Sequence, residues 1–142
     1  RADSKKMNNG LMFNMKNMHE ETDALIKEYK VLCKSRDQKV GMLSGGNIQK
    51  VVVAREFSNE PDLIIADQPT RGIDVGAKYE IYQLILDLAN KNKVVMVVSS
   101  EMPELLGICD RILVMSGGRL AGEVNVSETN QEEIMTLAAK YV

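Results

Sequence analysis

Apolar residues along the chain fall into segments that alternate between helical and strand-like spacing. Over 19–34 (HEETDALIKEYKVLCK), Leu25, Tyr29 and Leu32 recur at helical period and predict an amphipathic helix. Over 48–58 (IQKVVVAREFS), Ile48, Val51, Val52 and Phe57 lie mostly on one side, which predicts a helix packed on a sheet. Pro61 and Asp62 interrupt, and 63–66 (LIIA) is a continuous apolar run. Such runs belong to strands buried on both faces, as in parallel sheets. Asp74 is a good N-cap for a helix over 74–91, whose apolar period runs through Val75, Tyr79, Tyr82, Ile85 or Leu86, and Ala89. A second buried strand is expected over 93–100 (KVVMVVSS). Pro103 suits the first turn of a short helix over 101–108.

The run 111–126 (RILVMSGGRLAGEVNV) reads as a hairpin around Gly117 and Gly118, glycines that a turn alone explains. Thr129 and Glu132 match a capping box and start a last helix from about residue 130. Strands alternating with helices give an α/β class with a mainly parallel sheet flanked by helices. Residues 1–18 are polar and rich in methionine, either a loosely ordered lead-in or a soft contact surface. His19, the only histidine, sits at the polar start of the first helix with no cysteine or second histidine to share a metal, and reads as solvated.

A chain of 142 residues suits one compact domain and can bury roughly 68–70% of the surface its unfolded form exposes. The net charge of −2 and a pI near 5.5 imply no basic face, and the scarcity of aromatics with no tryptophan argues against base stacking. No nucleic-acid partner is expected. The longest apolar run is 94–98 (VVMVV), far short of the roughly 20 residues of a membrane span. Nothing matches a secretory leader. Cys33 and Cys109 form no CxxC and are expected to be free thiols in a reducing cytosol. The chain begins at Arg1, which suggests a piece of something longer.

Two short stretches point to phosphate chemistry. The strand LIIAD delivers Asp67 at its carboxyl end, where ligands bind in open α/β sheets. In phosphate-handling proteins such an aspartate holds Mg²⁺, usually through water. Alone it is often a turn residue or a helix cap. Ser44-Gly45-Gly46 precedes a helix, and glycines let backbone N–H groups approach an anion at the positive end of the helix dipole. Alone this is equally an ordinary turn with a serine cap.

The order of the motifs is far more specific than either one. LSGGN (43–47), a helix, a strand ending Asp67-Gln68-Pro69-Thr70, and then Arg71-Gly72-Ile73-Asp74 resemble the ATP-binding-cassette (ABC) ATPases of the P-loop NTPase fold. In that family LSGGQ is the signature loop, the strand is Walker B and the loop after it is the D-loop. LSGGN with PTRGIDVGAK (69–78) resembles the sugar-importer branch, whose ATPase fuses two cassettes in one chain. SSEMPELLG (99–107) and DRILVMSGG (110–118) resemble the second cassette of galactose/methyl-galactoside and ribose importers. The resemblance covers roughly 40–142. It implies a division into 1–40, a lead-in and remnant of the helical subdomain, and 41–142, the C-terminal part of a cassette.

By that resemblance Ser44, Gly45 and Gly46 would meet the γ-phosphate, with Asn47 where most cassettes have glutamine. Asp67 would be the Walker B acid on Mg²⁺. Gly72, Ile73 and Asp74 would form the D-loop at the cassette–cassette interface. Three departures stand out. No GxxxxGK followed by Ser or Thr exists in the chain, so the P-loop that cradles phosphates is missing. Gln68 replaces the glutamate that acts on the attacking water, and losing a general base costs about 10²–10⁴ in rate. Ser100 stands where the family has its switch histidine.

Cassettes of this family pair head to tail, so the intact LSGG would serve a competent site in trans, while Asp67 and Gln68 would sit in a degenerate one. The implied function is the ATP-binding part of a bacterial monosaccharide importer at the cytoplasmic face of the membrane, using ATP and Mg²⁺. Its partners would be the N-terminal cassette of the same chain and membrane permease subunits. The fragment alone is expected to be inactive and to self-associate. The rival reading is a non-catalytic interaction or regulatory module on a relic nucleotide fold. A cassette of a soluble non-transport ATPase fits PTRGIDVGAK least.

Overall fold

The computed structural model describes residues 8–9, 12–59 and 61–142, so the lead-in read over 1–18 lies partly outside the described residues. Those residues group into two compact units, Arg1–Asp62 with Thr70–Asp87, and Leu63–Pro69 with Leu88–Val142.

The first unit opens with two short antiparallel strands, β1 (Asn8–Asn9) and β2 (Met12–Phe13). Helix α1 (Met15–Glu28) starts four residues earlier than its apolar period predicts, because the Asn14 side chain accepts the Asn17 N–H at 3.2 Å. His19 is therefore in the second turn rather than at the start. The helix also ends earlier than predicted. Lys30 turns left-handed (φ 51°), its N–H reaches the Lys27 carbonyl at 3.3 Å, and the Val31 N–H reaches the Ile26 carbonyl at 2.9 Å. This paired closure satisfies the last carbonyls and sends Val31 and Leu32 out of the helix.

Helix α2 (Gly45–Phe57) and helix α3 (Val75–Asn90) supply the core of this unit. Their buried stripes share Phe57 and Ile85 with the predicted ones and otherwise differ. In α2 the buried residues are Gly46, Lys50, Ala54 and Phe57, whereas Val52 is exposed. In α3, Ala77, Ile81, Ile85 and Leu88 are buried, while Val75 and Tyr79 stand 84% and 64% exposed. Both observed stripes run at i, i+4, i+8 and i+11, so each is a helical face. The physical reason for the shift is close approach. A Cβ placed on Gly46 would come within 2.5 Å of the Ala77 Cβ, so the two helices meet at their smallest residues and not at their bulkiest. Tyr29 and Phe57 close the other end, with ring centroids 6.5 Å apart.

The second unit holds the parallel pair β3 (Leu63–Asp67) and β4 (Val94–Val98), aligned from Leu63 opposite Val94 to Asp67 opposite Val98. The crossover between them contains α3, as the βαβ order predicts. The expected burial on both faces is not observed. Leu63, Ile65, Val94, Met96 and Val98 share one face and are exposed, Ile65 by 63%, while Ile64 on the other face is buried. Among the described residues the exposed side of the pair is therefore an apolar face.

Helix α4 (Met102–Ile108) carries Pro103 in its first turn. Strands β5 (Arg111–Ser116) and β6 (Arg119–Asn125) form the expected hairpin. Gly117 and Gly118 have φ of 53° and 73°, the pair of positive angles that a tight two-residue turn requires. Helix α5 (Gln131–Ala138) lays Ile134 on Ile112 and Val114. Its cap is Asn130, whose side chain accepts the Glu133 N–H at 3.0 Å, and not Thr129. Thr129 instead donates its hydroxyl to the Glu133 carboxylate at 2.7 Å, so the capping pair sits one residue further on than predicted.

Candidate functional site

In the first unit, Ser44 is the last extended residue before α2 (φ −65°, ψ 157°), and its carbonyl accepts the first helical bond, from the Ile48 N–H at 2.9 Å. The N–H groups of Gly45, Gly46 and Asn47 lie ahead of that bond and have no carbonyl of the helix to reach. The Ser44 side chain does not cap them. Its Oγ is instead 2.8 Å from Asn47 Nδ2, and Asn47 Oδ1 accepts the Leu32 N–H at 2.7 Å. Ser44 and Gly45 are exposed, so a hydroxyl and the positive end of a thirteen-residue helix face outward together.

The Gly72–Asp74 loop adjoins this helix start. A Cβ on Gly45 would lie 3.4 Å from Ile73 Cγ2 and 3.7 Å from the Gly72 carbonyl oxygen. Gly72 itself has φ of 76°, a left-handed turn that glycine adopts without strain. Asp74 then caps α3, accepting the Ala77 N–H at 2.9 Å, with its carbonyl taking the Lys78 N–H at 2.9 Å. Sequence-predicted residues 44–47 and 72–74 are thus brought together in one unit.

In the second unit, Asp67 ends β3 and is exposed. Gln68 follows with φ of 48°, a left-handed conformation that costs a non-glycine residue about 1–2 kcal/mol. Its N–H is held by the Val98 carbonyl at 2.8 Å, which extends the β3–β4 ladder by one bond. A strained residue fixed at a strand end is a common attribute of functional sites. Ser100 is exposed two residues after β4. Its neighbour Ser99 makes the local contacts, donating to the buried carboxylate of Glu104 and accepting the Glu101 N–H at 3.0 Å. Among the described residues no three His, Cys, Asp or Glu side chains converge to hold a metal.

The model of the ABC transporter family matches residues 2–71. The chain is 56% identical over 133 residues to the galactose/methyl galactoside import ATP-binding protein MglA of Pasteurella multocida, covering 94% of this chain and 26% of that protein. It is 54% identical over 140 residues to the protein of the same name from Clostridium perfringens, covering 99% and 27%. In structure it matches a dimeric bacterial ABC transporter cassette with a TM-score of 0.68 at 27% identity, over 84% of this chain and 51% of that one. The chain belongs to the ABC transporter family.

Its fold is a partial ABC ATPase cassette, and it spans about a quarter of the length of the curated relatives it matches. A similar dimeric cassette, again at TM-score 0.68 and 27% identity over 84% of this chain and 51% of its own, is in a post-hydrolysis state bound to ADP and Pi. No helix among the described residues of this cassette is long and apolar enough to cross a membrane.

The hydrophobic pattern missed the structural roles of two residues, Lys50 and Leu32. Lys50, 3% exposed, lies on the buried face of α2 and pairs with Glu80 of α3. The Leu32 N–H anchors Asn47 from a segment predicted to be helical. The only local sign of either is a lysine in register with Gly46 and Ala54.

Proposed function

We propose that the chain is part of the second cassette of a fused two-cassette importer ATPase, with 1–40 from its helical subdomain and 41–142 its C-terminal part. The whole protein would hydrolyse MgATP to drive uptake of a monosaccharide, galactose or methyl galactoside in first place and ribose in second. The import function in the names of the relatives, and the quarter of their length that this chain spans, support that reading.

The observation that carries it is the outward-facing start of α2, where the Ser44 hydroxyl and uncapped N–H groups stand together beside Ile73. These donors suit a phosphate chain presented by a second cassette. Bound MgATP would supply the phosphoanhydride. Ser44 Oγ–H and the N–H groups of Gly45 and Gly46 would then stabilise charge on the transferring phosphoryl oxygens, in trans. Preorganised donors of this kind are each worth about 2.7–4 kcal/mol. Ile73 and Asp74 would lie at the cassette–cassette interface.

Asp67 would hold Mg²⁺ through water in the other site. There the Gln68 amide cannot accept a proton and Ser100 offers no imidazole, so this site is the degenerate one. Partners are the N-terminal cassette of the same chain and membrane permease subunits, at the cytoplasmic face of a bacterial membrane. The isolated chain would be inactive. Its exposed apolar β3–β4 face favours self-association, which sedimentation of a dilute sample as a strict monomer would refute.

Steady-state ATPase of the full-length protein tests the assignment. Ser44→Arg, which also blocks close approach of a partner, should abolish turnover. Gln68→Glu should change it less than about threefold, roughly 0.65 kcal/mol at 1.36 kcal/mol per tenfold. A tenfold or larger gain from Gln68→Glu would show that its site works and overturn the asymmetric assignment.

A further inference from the structure

The Asn47 amide has one orientation available to it. The Leu32 N–H can only donate, so the atom 2.7 Å from it must be the amide oxygen. The atom 2.8 Å from Ser44 Oγ is then the NH₂ group, which can only donate. Ser44 Oγ is therefore the acceptor in this pair, and its own proton has to point elsewhere. Ser44 is exposed and does not cap its helix, so that proton is left to the outward positions, away from Asn47.

We infer that Asn47 is a positioning residue that acts through Ser44, setting the direction of the hydroxyl proton so that the serine arrives as a donor. This rests on the reading of Ser44 as a donor to phosphate. The chain of contacts is Leu32 backbone, Asn47 amide, Ser44 hydroxyl. A hydroxyl rotor without such a partner would spread over three staggered positions. With Asn47 donating to the oxygen, the inward position is closed and only outward ones remain, and donors already turned toward where charge develops need less reorganisation during the reaction. Asn47 thus serves the signature loop without spending its own amide on the nucleotide. Its oxygen is committed to Leu32 and one of its two N–H bonds to Ser44.

Asn47→Asp separates this role from a structural one. An aspartate keeps the acceptor for Leu32, so the loop stays anchored. Its second oxygen can only accept, so it draws the Ser44 proton inward and reverses the polarity of the pair. In the full-length protein, Ser44→Ala should lower kcat for MgATP hydrolysis by about 10²–10³-fold, the range for one lost preorganised donor. Asn47→Asp should match it within about threefold, with KM for MgATP and the melting temperature little changed. The double variant should be no slower than Ser44→Ala alone, since both changes remove the same donor. If Ser44→Ala leaves kcat within threefold of the parent, the phosphate-donor reading fails and the inference falls with it. If Ser44→Ala is slow while Asn47→Asp is not, that reading stands and the role of Asn47 is overturned. A double variant slowed by the product of the single effects also overturns it, because the aspartate would then act by its charge and not through the hydroxyl.

Discussion

Lys50 Nζ lies 2.7 Å from a carboxylate oxygen of Glu80 and 3.0 Å from the Lys30 carbonyl oxygen, joining α2, α3 and the turn after α1 at a single ammonium. The lysine is almost wholly buried, whereas the Glu80 side chain is half exposed. The two partners should therefore respond differently to substitution. Lys50→Met keeps much of the stem but leaves the Lys30 carbonyl and Glu80 unpaired. It should destabilise the chain by about 1–3 kcal/mol, the range for leaving a buried hydrogen-bonding group unsatisfied. Glu80→Gln retains an acceptor at a half-exposed position and should cost less than about 1 kcal/mol. Urea denaturation midpoints of the two variants check this. Equal losses would mean that the burial of Lys50 is incidental.

Gly46 and Ala77 define how closely α2 and α3 approach. Gly46→Ala would set two methyl carbons 2.5 Å apart, and overpacking of this kind costs about 1–3 kcal/mol. Ala77→Gly removes the opposing methyl. The double variant should recover part of the Gly46→Ala loss, with a coupling energy of at least about 0.5 kcal/mol. A strictly additive pair, measured by thermal or chemical unfolding, would rule out the contact as the cause.

The hairpin glycines have the same sign of φ and opposite surroundings. A Cβ on Gly117 would meet the Tyr141 carbonyl oxygen at 2.5 Å, whereas one on Gly118 would meet nothing within 4 Å. Asparagine tolerates left-handed backbone better than most residues. Gly118→Asn should therefore be nearly neutral, within about 0.5 kcal/mol. Gly117→Asn should cost about 1–3 kcal/mol, because the C-terminal segment must move away. Comparing melting temperatures of the two variants gives the answer directly.

Asn130, and not Thr129, caps α5. Asn130→Ala should lose about 1 kcal/mol of stability. Thr129→Ala removes only an exposed bond to the Glu133 side chain and should lose less than about 0.5 kcal/mol. Denaturation of both variants at neutral pH distinguishes the two assignments. A larger loss from Thr129→Ala would restore the capping box predicted from the sequence.

Much of the framework is legible from local signals. The strand LIIAD, the helix after Asp74, the Pro103 turn and the Gly117–Gly118 hairpin all fall where residue type alone demands them. These are positions where a missing N–H, a positive φ or an early helix cap restricts the backbone whatever the surroundings. The motif residues 44–47, 67–68 and 72–74 are legible for another reason: their order along the chain carries the family resemblance.

The sequence by itself determined that α2 to α5, the strands β3 and β4 and the β5–β6 hairpin form, but not where α1 begins and ends, and it pointed to residues 44–47, 67 and 72–74 as the expected signature loop, strand-ending acid and D-loop. It did not determine which face each helix buries. Hydrophobicity pointed to Val75 and Tyr79, yet the tertiary structure buries Ala77 and Ile81, because two helices in contact select the face that lets their backbones approach. Hydrophobicity also could not place Lys50 inside, since burial of a charge is decided by partners supplied from Lys30 and Glu80, 20 and 30 residues away. The direction of the Ser44 proton was equally out of reach. It depends on Asn47 and on the Leu32 N–H, which becomes available only because α1 has ended at Glu28 and the chain turns left-handed at Lys30. Local composition fixes backbone preference, but these side-chain roles are set by groups that only folding brings within bonding distance.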